Sequence, residues 1–358
     1  MKIMQIIPDL SLAGAETMCG ILSEQLACMG HDVEVVSLYS KKTPITENLE
    51  QKKIPVHFLR KKPGLDAGVI GRLAALFRRE KPDVVHTHLY ALKYAAAAAV
   101  LAGVKVKIHT MHNIAEKETT PKNRIISRFL FRHGMVVPVS LSDEVQKSVM
   151  QCYGIPAEKT PIIYNGIDIE RFTPVNKQEK DTINYLHIGR FSPQKNHEML
   201  LEAFEKVKQE LPLAELTLVG EGSGEKEIRE MTARKHLQEC VHFAGAQADV
   251  RQFLQNADVF VLPSKYEGMP MTIIEAMASG LPVAATRVGG VASMVESGKE
   301  GILTEVESDA FAQAMLKLGK SREMRMAYGK AGREKAEQYF SAKSMAEKYV
   351  ELYHKKEK

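Results

Sequence analysis

Three short stretches carry residue types that can hold phosphate and polyol groups. In Gly189-Arg190-Phe191-Ser192-Pro193-Gln194-Lys195-Asn196, an arginine and a lysine sit five residues apart in a loop between an apolar run and a helical pattern. Two cations and a helix N-terminus meeting at the end of a strand can hold a diphosphate. A solvated basic loop has the same composition; as a loop cation, Lys195 is expected to matter to diphosphate binding much more than to the core. In Glu267-Gly268-Met269-Pro270-Met271-Thr272-Ile273-Ile274-Glu275, Gly268 frees the backbone and Pro270 suits the first turn of a helix over 272–278. Glu267 then stands in the loop mouth and Glu275 on the helix, two carboxylates able to take hydrogen bonds from sugar or ribose hydroxyls. Surface acids on an ordinary helix are the plainer alternative. Gly14 follows the first apolar run and opens a helix, so backbone can approach a ligand there and N–H groups can face an anion.

Other patterns point elsewhere and are weaker. Gly220-Glu221-Gly222-Ser223-Gly224-Glu225 approaches a dinucleotide fingerprint but has Glu225 where the third glycine belongs, which counts against a dehydrogenase. His86, His88, His109 and His112 have ligand-like spacings, yet no carboxylate or cysteine lies between them, and the chain has no Asp-x-Asp. We therefore expect no metal and no cofactor. The four cysteines are far apart, without a C-x-x-C pair, as in a reducing compartment.

The elements that must position these residues alternate along the chain. Its 358 residues suit two domains. Apolar runs at 3–7, 33–38, 84–86, 105–110 and 136–139 read as buried parallel strands, with helices such as 15–29 and 67–79 between them. The polar stretch 168–181 reads as a linker. A second series has strands at 183–188, 215–219, 241–243, 259–262 and 283–285, and residues 321–358 read as two or more helices. The expected fold class is α/β, with two Rossmann-like domains facing across a cleft. The boundaries are 1–172 and 173–340, with a last helix near 341–358 packing back on the first domain.

Charge is uneven. Residues 51–132 hold 17 lysines and arginines against 5 aspartates and glutamates, which favours an anionic partner. Within them Lys122 to Arg132 places Arg124, Arg128 and Arg132 at four-residue spacing, interleaved with Ile125, Ile126, Phe129 and Leu130. Such a helix can lie on an acidic membrane surface or be an ordinary core-packed helix with a wet basic side. Few aromatics interleave the basic patch, so nucleic acid is not the expected partner. The longest alanine-rich run, 94–104, is too short to span a bilayer, and a cytoplasmic protein, peripheral at the inner face of the cell membrane, is expected.

The stretch 258–290 resembles the donor-binding segment of GT-B retaining glycosyltransferases of family 4 (glycosyl transferases group 1). The likeness extends over nearly the whole chain: the Gly14 loop, His112, Asn165-Gly166-Ile167-Asp168, Arg190 with Lys195, and Glu267 with Glu275. The resemblance implies catalytic roles for His112, Arg190, Lys195 and Glu267. Arg190 and Lys195 would neutralise the donor's phosphates, Glu267 would bind the donor sugar and Glu275 the ribose. Backbone around Gly268, Met269, Pro270, Met271 and Thr272 would support phosphate and sugar. Gly14 would approach the leaving diphosphate, and His112 would reach the sugar near its reacting centre. Two positions depart from the pattern: Ala13 stands where many members have a second glycine, and Met269 where many have phenylalanine. The implied partners are a nucleotide-sugar donor, expected to be UDP-linked as in the commonest class of relatives, and a glycan or lipid-linked acceptor in surface or exopolysaccharide assembly. A non-catalytic sugar-nucleotide-binding subunit or sensor is the alternative.

Overall fold

The structure, a computed structural model, describes residues 1–175 and 181–357. The chain forms two compact units, residues 1–166 with 342–358 and residues 167–341.

The first unit holds strands β1 (Lys2–Ile7), β2 (Asp32–Ser37), β3 (Val56–Phe58), β4 (Val84–His88), β5 (Val106–Met111) and β6 (Val137–Ser140). Its helices are α1 (Gly14–Cys28), α2 (Pro44–Gln51), α3 (Gly68–Glu80), α4 (Leu92–Leu101), α5 (Ala115–Glu118), α6 (Pro121–Arg132) and α7 (Asp143–Tyr153). The second unit holds β7 (Asn184–Ile188), β8 (Glu215–Val219), β9 (Val241–Gly245), β10 (Val259–Leu262), β11 (Val283–Thr286) and β12 (Gly301–Thr304). Its helices are α8 (His197–Glu210), α9 (Glu225–Arg234), α10 (Arg251–Asn256), α11 (Met271–Ala278), α12 (Val291–Met294), α13 (Ser308–Lys320) and α14 (Arg322–Tyr339). The chain then returns to the first unit as α15 (Ala342–Glu357).

Both sheets are parallel and share one topology: β3-β2-β1-β4-β5-β6 and β12-β11-β10-β7-β8-β9. Counted from its own first strand, each runs 3-2-1-4-5-6, so strand order reverses between β1 and β4 and between β7 and β10. Helices leave neighbouring strands in opposite directions there, which opens a crevice beyond the strands' carboxyl ends. Strands buried on both faces need apolar residues throughout. Ile3, Ile6, Val35, Val36, Val259, Phe260 and Val261 are all fully buried. The two elements absent from the sequence expectation, β3 and β12, are short edge strands.

Helix α15 packs through Ala342, Met345, Ala346, Tyr349 and Tyr353, all buried and at helical spacing. The tyrosine hydroxyls end on unit-one polar groups: Tyr349 on Thr110 at 2.7 Å and Tyr353 on His86 Nδ1 at 2.7 Å. Of the expected linker, residues 176–180 lie outside the described residues. The sequence placed the boundary after Phe172, but residues 167–172 belong to the second unit. The Arg333 guanidinium donates to the carbonyls of Ile169 (3.3 Å), Phe172 and Ala278 (2.6 Å), and the Ile167 amide donates to Phe340 O at 2.9 Å. Among the described residues no helix is long and apolar enough to cross a membrane.

Candidate active site

In the second unit the candidate residues Arg190, Lys195 and Glu267 stand beyond β7 and β10, the strands that flank the order reversal. Residues 189–196 link β7 to α8, and residues 263–270 link β10 to α11. The two loops are tied by backbone, with the Lys265 amide donating to Gln194 O at 2.8 Å and Asn196 Nδ2 to Pro263 O at 3.2 Å. That seam puts Lys195 Nζ 2.6 Å from Glu267 Oε1. Both side chains are largely shielded, at 16% and 6% exposure. Glu267 also accepts from Ser264 Oγ at 2.6 Å and from Gln194 Nε2 at 3.3 Å. Lys195 is therefore half of a buried, hydrogen-bonded ion pair rather than a free loop cation. Removing one member of such a pair costs about 3–5 kcal/mol, so the expectation that Lys195 adds little to the core does not hold. Arg190 differs: it is exposed and has no ion-pair partner among the described residues.

Glycine backbone fixes these loops. A Cβ on Gly289, whose φ is +48°, would lie 1.9 Å from Glu267 O, and the Gly290 amide donates to that oxygen at 3.3 Å. The Gly220–Gly224 stretch, too divergent for a dinucleotide fingerprint, braces the Arg190 loop instead. A Cβ on Gly222 would meet Phe191 O at 2.3 Å, Phe191 N donates to Glu221 O at 3.1 Å, and Gly224 N donates to Phe191 O at 3.2 Å. Behind it, Phe191 stacks on His197 with ring centroids 4.3 Å apart.

Gly268, Met269, Pro270 and Met271 are buried at the entry to α11. Pro270 occupies the cap position with φ −68° and ψ 118°, one residue ahead of the first turn expected for it, and no side chain caps the helix. The first N–H groups of α11 and the buried hydroxyl of Thr272, which has no hydrogen-bond partner among the described residues, are thus available to an anion or a hydroxyl. Helices α8 and α1 likewise begin without a side-chain cap, at Asn196 and Ala13. Glu275 is half-buried; burial pushes its carboxyl up to about 7, against the pull of Arg171 and with a push from Asp249.

In the first unit, Gly14 is the exposed first residue of α1, beyond β1. His112 follows β5, half-buried, with Nε2 2.9 Å from His88 Nδ1. Burial, with a smaller contribution from His109, lowers His112 to about 3, so its imidazole is neutral at physiological pH. Of the other histidines that invited a metal reading, His86 spends both nitrogens on Tyr353 and Thr110, His88 spends both on His112 and Gln5 Oε1, and His109 uses Nδ1 on Thr87.

Sequence reasoning assigned no role to Gln194, Ser264, Asn196, Gly289 or Gln5, and weighed His88 only as a metal ligand. Their signal is faint. Ser264 and Gln194 are common loop residues, whereas Gln5 is the one buried polar side chain of β1 and His88 ends a strand that also holds His86 and Thr87.

Comparison with known proteins bears on both units. The model of the glycosyl transferases group 1 matches residues 168–335, and that of glycosyltransferase family 4 matches residues 12–171. The N-acetyl-alpha-D-glucosaminyl L-malate synthase of Bacillus anthracis is 27% identical over 369 residues, 96% of this chain and 94% of that protein. The UDP-Gal:alpha-D-GlcNAc-diphosphoundecaprenol alpha-1,3-galactosyltransferase of Escherichia coli is 28% identical over 301 residues, 78% of this chain and 77% of that protein. Among solved structures, Anabaena HepE in complex with UDP and glucose superposes with a TM-score of 0.87 at 23% identity, over 98% of this chain and 99% of that one. That likeness shows the fold, two parallel six-stranded α/β units of the GT-B kind. With one model covering each unit and relatives aligned nearly end to end, the chain is a glycosyltransferase and belongs to family 4, the glycosyl transferases group 1.

Proposed function

We propose that the enzyme moves a hexose from a UDP-sugar to a hydroxyl of a glycan or lipid-linked acceptor, with retention at the anomeric carbon and without a metal, in the assembly of a surface polysaccharide. The observation that carries the donor half is the Lys195–Glu267 pair beyond β7 and β10. An ammonium has three N–H donors, and one is on Glu267. The remaining two, the exposed Arg190 and the uncapped starts of α8 and α11 offer positive charge to a diphosphate without a bound cation. Glu267 takes hydroxyls of the sugar, Glu275 the ribose, and the backbone of Gly268 to Thr272 the phosphate and sugar. Gly14 brings backbone to the diphosphate, and His112 contacts the sugar.

In the transfer step the acceptor oxygen bonds to the anomeric carbon as the bond from that carbon to the diphosphate breaks. The acceptor's proton goes to the leaving phosphate. Arg190 and Lys195 stabilise charge growing on that phosphate, the kind of electrostatic help that dominates many enzymes. UDP is the nucleotide in the name of the E. coli relative and in the HepE complex. The lipid-linked acceptor is supported by that relative's diphosphoundecaprenol and by α6. On α6, Leu130, Phe131 and Ser127 face inward, while Ile125, Ile126 and Phe129 stand 72%, 43% and 57% exposed beside Lys122, Arg128 and Arg132. Exposed apolar side chains rimmed by cations suit an anionic bilayer, and we place the enzyme at the cytoplasmic face of the membrane.

The first test is calorimetric titration with UDP, GDP and ADP in EDTA. Binding of UDP alone is expected. Binding that needs a divalent cation would overturn the metal-free reading, and absence of binding by all three would favour a non-catalytic subunit.

A further inference from the structure

We infer that Gln5 and His88 are positioning residues that fix the tautomer of His112, leaving its Nδ1 bare to accept a hydrogen bond. The argument begins with register. In the first sheet Gln5 pairs with His86, and His88 pairs with Thr110. Side chains alternate faces along a strand, so Gln5, His86, His88 and Thr110 share one face. Helix α15 covers it, with Tyr349 and Tyr353 meeting Thr110 and His86. Gln5, His86, His88 and Thr110 are fully buried. His88 stacks on His86 at 4.5 Å between ring centroids, which holds its ring plane.

Each proton in the chain then follows from the one before. Gln5 Oε1 lies 2.9 Å from His88 Nε2, and a carbonyl oxygen only accepts, so His88 Nε2 carries the hydrogen. Burial, and after it the charges of His86, His112 and His109, hold His88 well below its ordinary pKa. The ring is neutral, and its Nδ1 is an acceptor. His112 Nε2, 2.9 Å away, must therefore be the donor. His112 is itself neutral, so its remaining nitrogen, Nδ1, has a lone pair and no proton. A histidine so arranged accepts from a hydroxyl and cannot donate to a phosphate or carbonyl oxygen. On the donor-side role proposed above, on which this functional half rests, the hydroxyl belongs to the sugar. Neither Gln5 nor His88 touches the sugar; both act through His112.

The test has two arms on the full-length enzyme. Two-bond proton–nitrogen correlation spectra of histidine-labelled protein at neutral pH need no substrate. They should show His88 and His112 both as Nε2–H tautomers, with His112 losing that preference in His88→Phe. An Nδ1–H His112 in the wild type, the polarity required if the Gln5 amide nitrogen faced His88, would overturn the inference. The second arm follows turnover of a UDP-sugar. His88→Phe should lower kcat about 10–100-fold with a change in donor KM within about threefold, as for other groups that orient a reacting imidazole. His88→Gln, whose side-chain oxygen can accept from His112 Nε2, should recover most of the loss. Wild-type turnover by His88→Phe, with His112→Ala inactive, would sink the relay and leave the role of His112 standing. An active His112→Ala would instead remove the donor-side role and with it the catalytic half of the inference, and the spectra alone would decide the relay.

Discussion

Replacing Lys195 with alanine separates two roles that the site joins in one side chain. At 2.6 Å from Glu267, the gross attraction is about 6 kcal/mol at an effective dielectric constant of about 20. Desolvation cancels part of this, and losing one partner of a buried pair costs about 3–5 kcal/mol in practice. Glu267 keeps Ser264 and Gln194 as donors, so the lower end, about 3 kcal/mol, is expected. For a unit the size of residues 167–341 each kcal/mol moves the melting temperature by about 2–4 °C, which gives a fall of about 6–12 °C. Differential scanning calorimetry should assign that fall to the second unit's transition. UDP affinity should fall about 10–100-fold as well, the loss of a charge-assisted hydrogen bond.

The decisive variant is Lys195→Ala with Glu267→Gln. A neutral amide in place of the stranded carboxylate removes the unpaired charge, so most of the lost stability should return while UDP binding stays weak. The four proteins form a double-mutant cycle, with an expected coupling of about 2 kcal/mol in stability. A double variant as unstable as Lys195→Ala alone, or a single variant that melts like the wild type, would refute the claim that the pair is buried and mutually dependent.

Three further outcomes follow from the same geometry. Gly222→Ala should drive a methyl against Phe191 O, 2.3 Å from the new Cβ. Moving that backbone costs about 1–3 kcal/mol and displaces Arg190, so calorimetry should find weaker UDP binding; unchanged affinity would mean that the brace is idle. Denaturant titration between pH 7.5 and 5.5 should find the first unit losing stability as pH falls. Burial lowers His86 and His88 well below 6.5 and His109 and His112 to about 3, so the unfolded chain protonates first. Each net proton contributes a slope of up to about 1.4 kcal/mol per pH unit. Glu118 and Glu275, raised by burial to about 7, act oppositely: the folded state binds their proton first, and the stability they add is lost as pH rises from 4.5 towards 7. Glu275→Gln should remove that opposing slope from the second unit, and a flat profile in wild type and variant alike would contradict the burial of these groups. Finally, Ile125→Ser with Phe129→Ser, both positions exposed on α6, should leave melting unchanged and abolish sedimentation with anionic vesicles; vesicle binding that survives would remove the bilayer contact.

The fold was legible because parallel strands buried on both faces must be apolar nearly throughout, and such runs stand out against amphipathic helices. Strands 215–219 and 259–262 were bounded to the residue. Edge strands escape that logic. β3 has only three residues, all half-buried, and β12 opens with Gly301, where a Cβ would meet Val283 O at 2.1 Å. Polarity alone also misread residues 167–172. Their backbone is held by Arg333, more than 160 positions away, and no local pattern announces so distant a donor.

The site divides in the same manner. Residue types in a segment reveal what it can do, and Arg190, Lys195, Glu267 and Glu275 are candidates on that ground. What they do to one another depends on strand order. Lys195 and Glu267 are 72 positions apart and meet because β7 and β10 are neighbours at the reversal. Gln5 and His88 are 83 apart and meet because β1 and β4 are neighbours at the other. In both sheets, then, polar side chains withheld from water lie beside the reversal, where helices diverge and a crevice opens beyond the strands' carboxyl ends. A glutamine or histidine inside a strand that should be apolar lowers stability unless its partners are supplied. A sequence that keeps several such residues on adjacent strands violates the local rule for a reason found at the next level of structure. Gln5 is the one buried polar residue of β1, and His86, Thr87 and His88 make three of the five residues of β4, its neighbour at the reversal.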